Sequence, residues 1–257
     1  MAKEEVIIAK PSFLIYEIAS TIEGAKIRAI GLKDFRYDLE EMKRAVTART
    51  KIIFLGNPDN PAGSYFTRKD IEYLMEGLRS DILVFIDEAY FEYVEADDYV
   101  DSISLQKKYP NIFITRTFSK MYGLAGLRVG YGIGDPQVID ILNRIREPFN
   151  VNSLAQVAAL ACLKDKGYYR RLSKVFQEQK NILYHAIQKL QLSCVPSYTN
   201  FLLIDVKSEG TEISRRLLKR GIIVRDMSPW GMRNFIRVTI GTEKENKKFI
   251  RALEEVL

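Results

Sequence analysis

The stretch TRTFSKMYGLAGLRVGYGIG, residues 115–134, decides how this chain is interpreted. It follows a β-branched run and combines Thr117 and Ser119 with Lys120 and, eight residues later, Arg128. A lysine at the carboxyl end of a buried strand is partly desolvated, which lowers the pKa of its amine and makes it a candidate Schiff-base nucleophile. The hydroxyl groups and the guanidinium group suit a phosphate beside it. Because a lone lysine is far more often a solvated loop residue, the stretch by itself only suggests a site.

Strands alternate with helices on the N-terminal side of this stretch. The predicted strands are residues 6–9, 26–30, 51–55, 82–86 and 111–114, and the helices between them are residues 13–20, 39–48 and 67–78. This order predicts an α/β fold with a mostly parallel sheet sandwiched by helices, in which ligands bind beyond the carboxyl ends of the strands. Asn60, Asp87 and Lys120 each follow such a strand end. We therefore expect these three side chains to meet in one crevice.

The C-terminal part predicts a smaller α+β domain. A long amphipathic helix over residues 168–190 is typical of a connection between two lobes, so the predicted domains are residues 1–165 and 166–257. Beyond it, strands are predicted at residues 200–206, 221–225 and 235–240, and helices at residues 211–219 and 244–256. Trp230, flanked by two methionines, is interpreted as a local apolar anchor rather than a mobile lid.

Composition excludes several classes of protein. A net charge of +6, with basic residues spread along helices, weakly favours small anionic ligands and argues against a nucleic-acid partner. Cys162 and Cys194 stand in helix-like and strand-like surroundings, which supports neither a disulfide framework nor a metal site and favours the cytoplasm. No apolar run is long enough to cross a bilayer, and residues 1–5 lead into a strand without a signal-peptide pattern, so no membrane partner is expected.

Four motifs in a fixed order carry a resemblance to a known family. They are NPDNPAG at residues 57–63, DEAY at residues 87–90, TFSKMYGLAGLRVGY at residues 117–131, and IVRD followed by FIRVTIG. The chain resembles the fold-type I pyridoxal-phosphate (PLP) aminotransferases, and among them the histidinol-phosphate aminotransferase group. The resemblance runs from Val6 to the C-terminus and implies a large PLP-binding domain, for residues 1–165, followed by a small C-terminal domain.

The resemblance implies a role for each cofactor-site residue. Lys120 is the lysine that binds the cofactor and moves the proton from the substrate Cα, and Asp87 pairs with the protonated pyridine nitrogen. Asn60 and Tyr90 hydrogen-bond the phenolic oxygen of the cofactor, and Phe13 stacks on the ring face. Considered singly, Asp87 is equally a turn cap and Asn60 a turn former, so the combination carries the prediction.

The same resemblance implies how anionic groups are held. Thr117, Ser119 and Arg128 hold the cofactor phosphate. Arg237 is the arginine for the substrate carboxylate, and Arg225 is a second candidate for a substrate phosphate or carboxylate. Taken alone, Arg128 and Arg237 are equally ordinary surface ion-pair partners.

Asn200 is expected near the mouth of the site. The expected substrates are histidinol phosphate, glutamate and 2-oxoglutarate, in a transamination of histidine biosynthesis. Threonine-phosphate decarboxylase and aromatic aminotransferase remain open alternatives within the family. A non-catalytic fragment is the alternative of another class.

Members of this family carry a further N-terminal segment. It supplies a lid, a strand of the large sheet and a glycine-containing turn that binds the cofactor phosphate through backbone amides. Residues 6–13 match the strand that follows that turn, so we expect this chain to be an N-terminally truncated member with weak PLP binding and slow turnover. The family also forms homodimers, in which a tyrosine of the partner subunit reaches the same phosphate, and a homodimer is therefore expected.

Overall fold

Two β-sheets organise the chain in the computed structural model, which describes residues 4–257. The strands of the first sheet are β1 (Glu5–Lys10), β2 (Lys26–Lys33), β3 (Arg36–Tyr37), β4 (Thr50–Gly56), β5 (Leu83–Asp87), β6 (Ile112–Thr117) and β7 (Gly130–Ile133). They lie in the order β3-β2-β1-β4-β5-β6-β7. The five central strands are parallel, and only the edge strands β3 and β7 run antiparallel to their neighbours. The predicted α/β class and mostly parallel sheet are confirmed.

Helices cover the first sheet. They are α1 (Leu14–Ile22), α2 (Leu39–Arg44), α3 (Arg68–Met75), α4 (Ser102–Gln106), α5 (Pro136–Ile145) and α6 (Ser153–Lys164). Ile7, Ile53, Ile86 and Ile114, from four neighbouring strands, are fully buried in one apolar core. Burial alternates along β5, where Val84 and Ile86 are buried and Leu83 and Phe85 are only partly buried, so the core lies mainly against one face of this strand.

The second sheet is antiparallel. Its strands are β8 (Ser193–Val195), β9 (Phe201–Asp205), β10 (Arg225–Asp226) and β11 (Phe235–Thr239), in the order β10-β11-β9-β8. The helices beside it are α7 (Lys166–Lys189), α8 (Gly210–Lys219) and α9 (Glu243–Val256), which contribute Leu183, Leu217 and Leu253 to a separate buried core. The C-terminal part therefore has the α+β character expected of it. The domain boundary between residues 165 and 166 stays a prediction.

One local prediction was wrong, and short elements were missed. The strand predicted at residues 221–225 is reduced to Arg225–Asp226, because Gly221 takes a φ of +71° and closes the C-terminal turn of α8, with the next amide donating to Leu217 O at 3.0 Å. The short strand β3 was missed. It follows a tight turn in which Asp34 and Phe35, neither a glycine, have φ values of 50° and 59°.

The two sheets are joined at the loop after β4. The Tyr198 N–H donates to Gly63 O at 2.8 Å. Gly63 has a φ of +86°, and a Cβ atom there would lie 2.5 Å from Ser197 Oγ, so glycine is required at this contact. This hydrogen bond and the close contact at Gly63 hold the loop that carries Asn60 against the C-terminal part of the chain. Among residues 4–257, no helix combines the length and apolarity needed to span a membrane.

Candidate active site

The carboxyl ends of β4 and β5 and the turn after β6 open into a cavity of about 210 Å³, called the site cavity below. Its lining residues are Phe13, Tyr16, Gly56, Pro58, Asn60, Asp87, Ala89, Tyr90, Lys120 and Arg237. Asn60, Asp87 and Lys120 thus meet in one place, as the strand-end rule predicts. Three further predicted residues, Phe13, Tyr90 and Arg237, lie there as well.

Asp87, the last residue of β5, presents its carboxylate to the site cavity. Its Oδ2 accepts a hydrogen bond from the Tyr16 hydroxyl at 2.9 Å, and its Oδ1 accepts one from the Ala89 N–H at 3.1 Å. Burial raises the pKa of Asp87, and these two bonds together with the charge of Lys120 oppose that rise. Each oxygen keeps a free lone pair, so the carboxylate can accept a further N–H from a ligand.

Lys120 lies three residues beyond β6 and is half-buried. Its Nζ is 5.3 Å from the centroid of the Tyr90 ring. Burial lowers the pKa of Lys120, and the positive charge of Arg237 lowers it further. A lowered pKa leaves more of the amine neutral near pH 7, and the neutral amine is the form that attacks a carbonyl carbon.

Tyr90 and Arg237 form another part of the cavity wall. Burial raises the pKa of Tyr90 to about 12, so its hydroxyl keeps its proton at neutral pH. Arg237 donates through Nη1 to Asn60 Oδ1, and its guanidinium carbon lies 4.6 Å from the centroid of the Phe201 ring. Within residues 4–257, Arg237 forms no salt bridge with an acidic side chain. Its charge is therefore available to an anionic ligand.

Thr117, Ser119 and Arg128 lie together beside the cavity rather than in its wall. The Ser119 N–H donates to Thr117 Oγ1 at 3.1 Å, and Arg128 Nη1 contacts Ser119 Oγ at 3.5 Å and Ala125 O at 2.7 Å. Arg128 has a φ of 54°, a left-handed conformation that is uncommon for a residue other than glycine. The cluster presents hydroxyls, a guanidinium group and backbone amides next to Lys120.

Two predicted substrate residues lie outside the site cavity. Arg225 is exposed and sits directly opposite Arg237 in the β10–β11 register. Like charges in directly opposite positions of an antiparallel pair destabilise it, so this pair favours an anion between or beside the two arginines. Asn200 precedes β9, and its carbonyl accepts the Ile240 N–H at 2.9 Å.

The sequence interpretation missed Tyr16. Its side chain is 5% exposed, stacks on Phe54 with ring centroids 5.0 Å apart, and contacts Phe13 edge to face at 5.6 Å. The signal was available, since Tyr16 stands three residues after Phe13 and residues at that spacing share one face of a helix. What the spacing does not give is the rotation of α1 that brings the hydroxyl to Asp87.

Asp59 was also missed, although it stands beside Asn60. It is buried, with Oδ1 accepting from the Tyr37 hydroxyl at 2.6 Å and Oδ2 accepting from the Ala62 N–H at 3.1 Å. Burial raises the pKa of Asp59 to about 7. The two bonds hold the loop that presents Asn60 to the cavity.

The residues fit a flat, phosphorylated heteroaromatic aldehyde such as PLP. Asp87 provides an acceptor for a ring N–H, Lys120 provides an amine for the carbonyl group, and Phe13 provides an aromatic face. The adjoining Thr117, Ser119 and Arg128 cluster provides donors for a phosphate. Among residues 4–257, no group of three or more His, Cys, Asp or Glu side chains is arranged to hold a metal ion.

Comparison with known proteins gives consistent matches. The family model of class I and II aminotransferases matches residues 1–253. Histidinol-phosphate aminotransferase 1 of Nitrosococcus oceani is 44% identical over 255 residues, covering 99% of this chain and 69% of the relative. The corresponding enzyme of Moorella thermoacetica is 43% identical, covering 99% of this chain and 66% of the relative.

Solved structures agree with these matches. The histidinol-phosphate aminotransferase from Sinorhizobium meliloti, solved in complex with pyridoxal-5'-phosphate, has a TM-score of 0.91 and 28% identity, covering 99% of this chain and 71% of that one. The histidinol-phosphate aminotransferase from Clostridium acetobutylicum has a TM-score of 0.92 and 27% identity, and the match covers 99% of this chain and 78% of that one. This chain therefore spans about two thirds to three quarters of the proteins that it matches.

Proposed function

This chain belongs to the class I and II aminotransferases, and we propose on that basis that it is a PLP-dependent transaminase acting on anionic substrates. The observation that carries the proposal is the site cavity, in which Lys120 and Asp87 face one space together with Phe13. An amine and a carboxylate in one small cavity match the two ends of the cofactor ring system: its aldehyde and its ring nitrogen.

Each side chain then has a defined task. Bound PLP supplies a carbonyl group and an electron-poor ring that stabilises negative charge at the substrate Cα. Asp87 accepts the ring N–H and holds it protonated, while Phe13 packs on the ring face. Tyr90, whose pKa of about 12 keeps it a donor, and Asn60 hydrogen-bond the phenolic oxygen. Lys120 would hold the cofactor through its amine, and the free amine would accept the proton from the substrate Cα.

Anion binding divides between two places. Thr117, Ser119 and Arg128 hold the cofactor phosphate through charge-assisted hydrogen bonds. Arg237 binds the carboxylate of glutamate or 2-oxoglutarate, and Arg225 opposite it binds the second anionic group of the substrate. Asn200, which directly precedes β9, is assigned to the mouth of the site as part of this proposal.

We propose that the chain exchanges an amino group between histidinol phosphate and 2-oxoglutarate, in histidine biosynthesis. Relatives named histidinol-phosphate aminotransferase at 43–44% identity support this choice. So does the facing arginine pair, since the phosphate of histidinol phosphate carries close to two negative charges at pH 7, whereas the carboxylate of phenylalanine carries one.

The cofactor proposal is tested by absorbance and covalent trapping. Addition of PLP should give a near-visible band, and borohydride reduction should fix the cofactor on Lys120, as found by peptide mass spectrometry. Lys120→Ala should abolish both results. Lys180→Ala is a matched control, because Lys180 is also half-buried and its pKa is likewise lowered by burial. Trapping at Lys180, or equal trapping in both variants, would contradict the assignment.

The substrate is tested by comparing rates with histidinol phosphate, phenylalanine and threonine phosphate, with 2-oxoglutarate as acceptor. Histidinol phosphate should give the highest kcat/KM. Release of carbon dioxide from threonine phosphate would instead support the decarboxylase alternative, and a preference for phenylalanine would support an aromatic aminotransferase. A chain that binds no PLP would support a non-catalytic fragment. Weak PLP binding and slow turnover remain predictions, and near-normal turnover would contradict them.

A homodimer in the cytoplasm completes the proposal. Large apolar side chains are exposed, among them Ile22 on α1 (77%), Phe149 (97%) and Leu154 on α6 (74%). Exposed apolar surface of this kind favours association. Cys162 and Cys194 are free, which suits a reducing compartment and supports the cytoplasm as the location.

A further inference from the structure

Trp230 connects the two halves of the chain at the site. It is the single tryptophan of the sequence and ends the short 3₁₀ turn Ser228–Trp230, just after β10. Its indole N–H donates to the carbonyl oxygen of Ser12 at 3.3 Å, a contact between residues 218 apart in sequence. Ser12 directly precedes Phe13, which lines the site cavity. The indole therefore holds the backbone of the loop that carries the ring-stacking residue.

The other side of the indole faces the anion-binding arginines. The guanidinium carbon of Arg225 lies 5.9 Å from the centroid of the Trp230 ring, within the range of a cation–π contact. Arg225 in turn sits opposite Arg237 across the β10–β11 ladder. One side chain thus touches both the arginine proposed for the substrate and the loop proposed for the cofactor.

The turn between these two residues is firmly braced. Asp226 Oδ1 accepts from both the N–H and the hydroxyl of Ser228, at 2.9 and 2.7 Å. The backbone N–H of Trp230 donates to the backbone carbonyl of Met227 at 3.0 Å, and the Met227 side chain is fully buried. These hydrogen bonds constrain the short segment that connects Arg225 to Trp230.

We propose that Trp230 is a positioning residue that couples anion binding at Arg225 to the Phe13 loop, so that a substrate anion and the cofactor raise each other's affinity. The inference rests on the proposed function and adds to it a link between the two binding events. From Phe13 the contacts continue to Tyr16, edge to face at 5.6 Å, and from Tyr16 to Asp87 at 2.9 Å. Coupling of two binding sites is reciprocal, so either ligand can be used to detect it.

The first test uses the emission of the single tryptophan in cofactor-free protein. Succinate is the probe, because it is a dicarboxylate without an amino or keto group. Its addition should change the emission of Trp230, and Arg225→Gln should abolish the change. Arg220→Gln is the matched control, since Arg220 is an arginine paired with Glu255 at 2.9 Å and distant from the indole. An emission that does not respond to succinate would overturn the inference.

The second test measures PLP affinity by equilibrium dialysis, with and without saturating succinate. In the wild type, succinate should tighten PLP binding. Trp230→Phe keeps an aromatic face for Arg225 but removes the indole N–H. Loss of one such hydrogen bond should weaken PLP binding about three- to tenfold. The ratio of the PLP dissociation constants without and with succinate should then fall close to one. Met232→Ala, in the same apolar cluster, is the control for lost packing and should keep the succinate effect.

The outcomes separate the two proposals. If PLP binds to the wild type but its affinity does not depend on succinate, the coupling is overturned and the transaminase proposal stands. If Trp230→Phe keeps the full succinate effect, the role of the indole N–H is overturned. A wild type that binds no PLP overturns both proposals. Thermal unfolding of each variant shows whether a change in affinity reflects loss of folded protein.

Discussion

Replacing Tyr16 by phenylalanine removes one hydroxyl from the wall of the site cavity. That hydroxyl donates to Asp87 at 2.9 Å, and Tyr16 otherwise contacts its surroundings through its ring, stacked on Phe54. Phenylalanine keeps the ring, so the packing of α1 on the sheet should be preserved. Tyr16→Phe therefore isolates the effect of the hydrogen bond on the Asp87 carboxylate.

The expected size follows from the kind of bond that is lost. A hydrogen bond to a charged group contributes about 1.5–3 kcal/mol, and one pKa unit corresponds to about 1.4 kcal/mol. Burial already raises the pKa of Asp87, and the Tyr16 bond opposes that rise. Without the bond, the pKa of Asp87 should rise by a further one to two units or so. The ionised carboxylate holds the ring N–H, so activity should be lost at a higher pH than in the wild type.

The assay is the pH profile of kcat/KM, together with the dissociation constant of PLP across the same range. The acidic limb of Tyr16→Phe should lie at higher pH by about one to two units, and PLP affinity at neutral pH should fall. Tyr73→Phe is the matched control, because Tyr73 lies exposed on α3 far from Asp87. An unchanged acidic limb and unchanged PLP affinity would refute the role given to Tyr16.

Three further predictions concern the amine of Lys120, the buried carboxyl group of Asp59 and the exposed apolar side chains. Arg237→Gln removes a positive charge that adds to burial in lowering the pKa of Lys120, so the pH midpoint for reaction of this amine with PLP should rise. Asp59 has a pKa of about 7 in the folded protein against an ordinary 3.8, so the folded state binds the proton more tightly than the unfolded state. The free energy of unfolding should therefore fall as the pH rises from about 4 to 7, by at most about 1.4 kcal/mol per pH unit. Asp59→Asn should remove this pH dependence in urea unfolding. Ile22→Glu and Phe149→Ser should shift sedimentation from dimer to monomer while changing the unfolding free energy by no more than about 0.5 kcal/mol.

Each of these three predictions would be contradicted by a specific result. A Lys120 midpoint that does not move in Arg237→Gln would show that the guanidinium charge has no effect on the amine. Parallel urea midpoints of the wild type and Asp59→Asn at pH 5 and pH 8 would contradict the raised pKa of Asp59. A wild type that sediments as a monomer at all concentrations would contradict the homodimer.

The sequence predicted those parts of the site that depend on topology. The convergence of Asn60, Asp87 and Lys120 required only that their strands be parallel neighbours, because the carboxyl ends of such strands share one edge. The residues that were missed depend on local geometry. Tyr16 reaches Asp87 only through the rotation of α1, and Asp59 meets the Tyr37 hydroxyl only because the loop after β4 folds back. Neither rotation nor loop path is encoded by hydrophobic periodicity.

The errors in predicting the secondary-structure elements also come from local backbone geometry. Residues 221–224 are apolar enough to predict a strand, but the left-handed turn at Gly221 uses this segment to leave α8. The turn before β3 was missed because Asp34 and Phe35 adopt positive φ without a glycine to mark it. Before β3, tertiary packing decides a backbone conformation that local propensity disfavours, whereas at Gly221 the glycine itself favours the left-handed turn that ends the helix.

The contacts between Trp230 and Ser12 and between Arg237 and Asn60 join residues 218 and 177 positions apart. Closing a loop of that length costs on the order of 5 kcal/mol of chain entropy, so such contacts form late in folding. Nascent chains emerging from the ribosome would thus have no pocket for a coenzyme until the last strand is in place. A coenzyme that binds only the completed pocket stabilises the native state and not the unfolded one. Its binding should therefore slow proteolysis along the whole chain, and not only in the loops near the pocket.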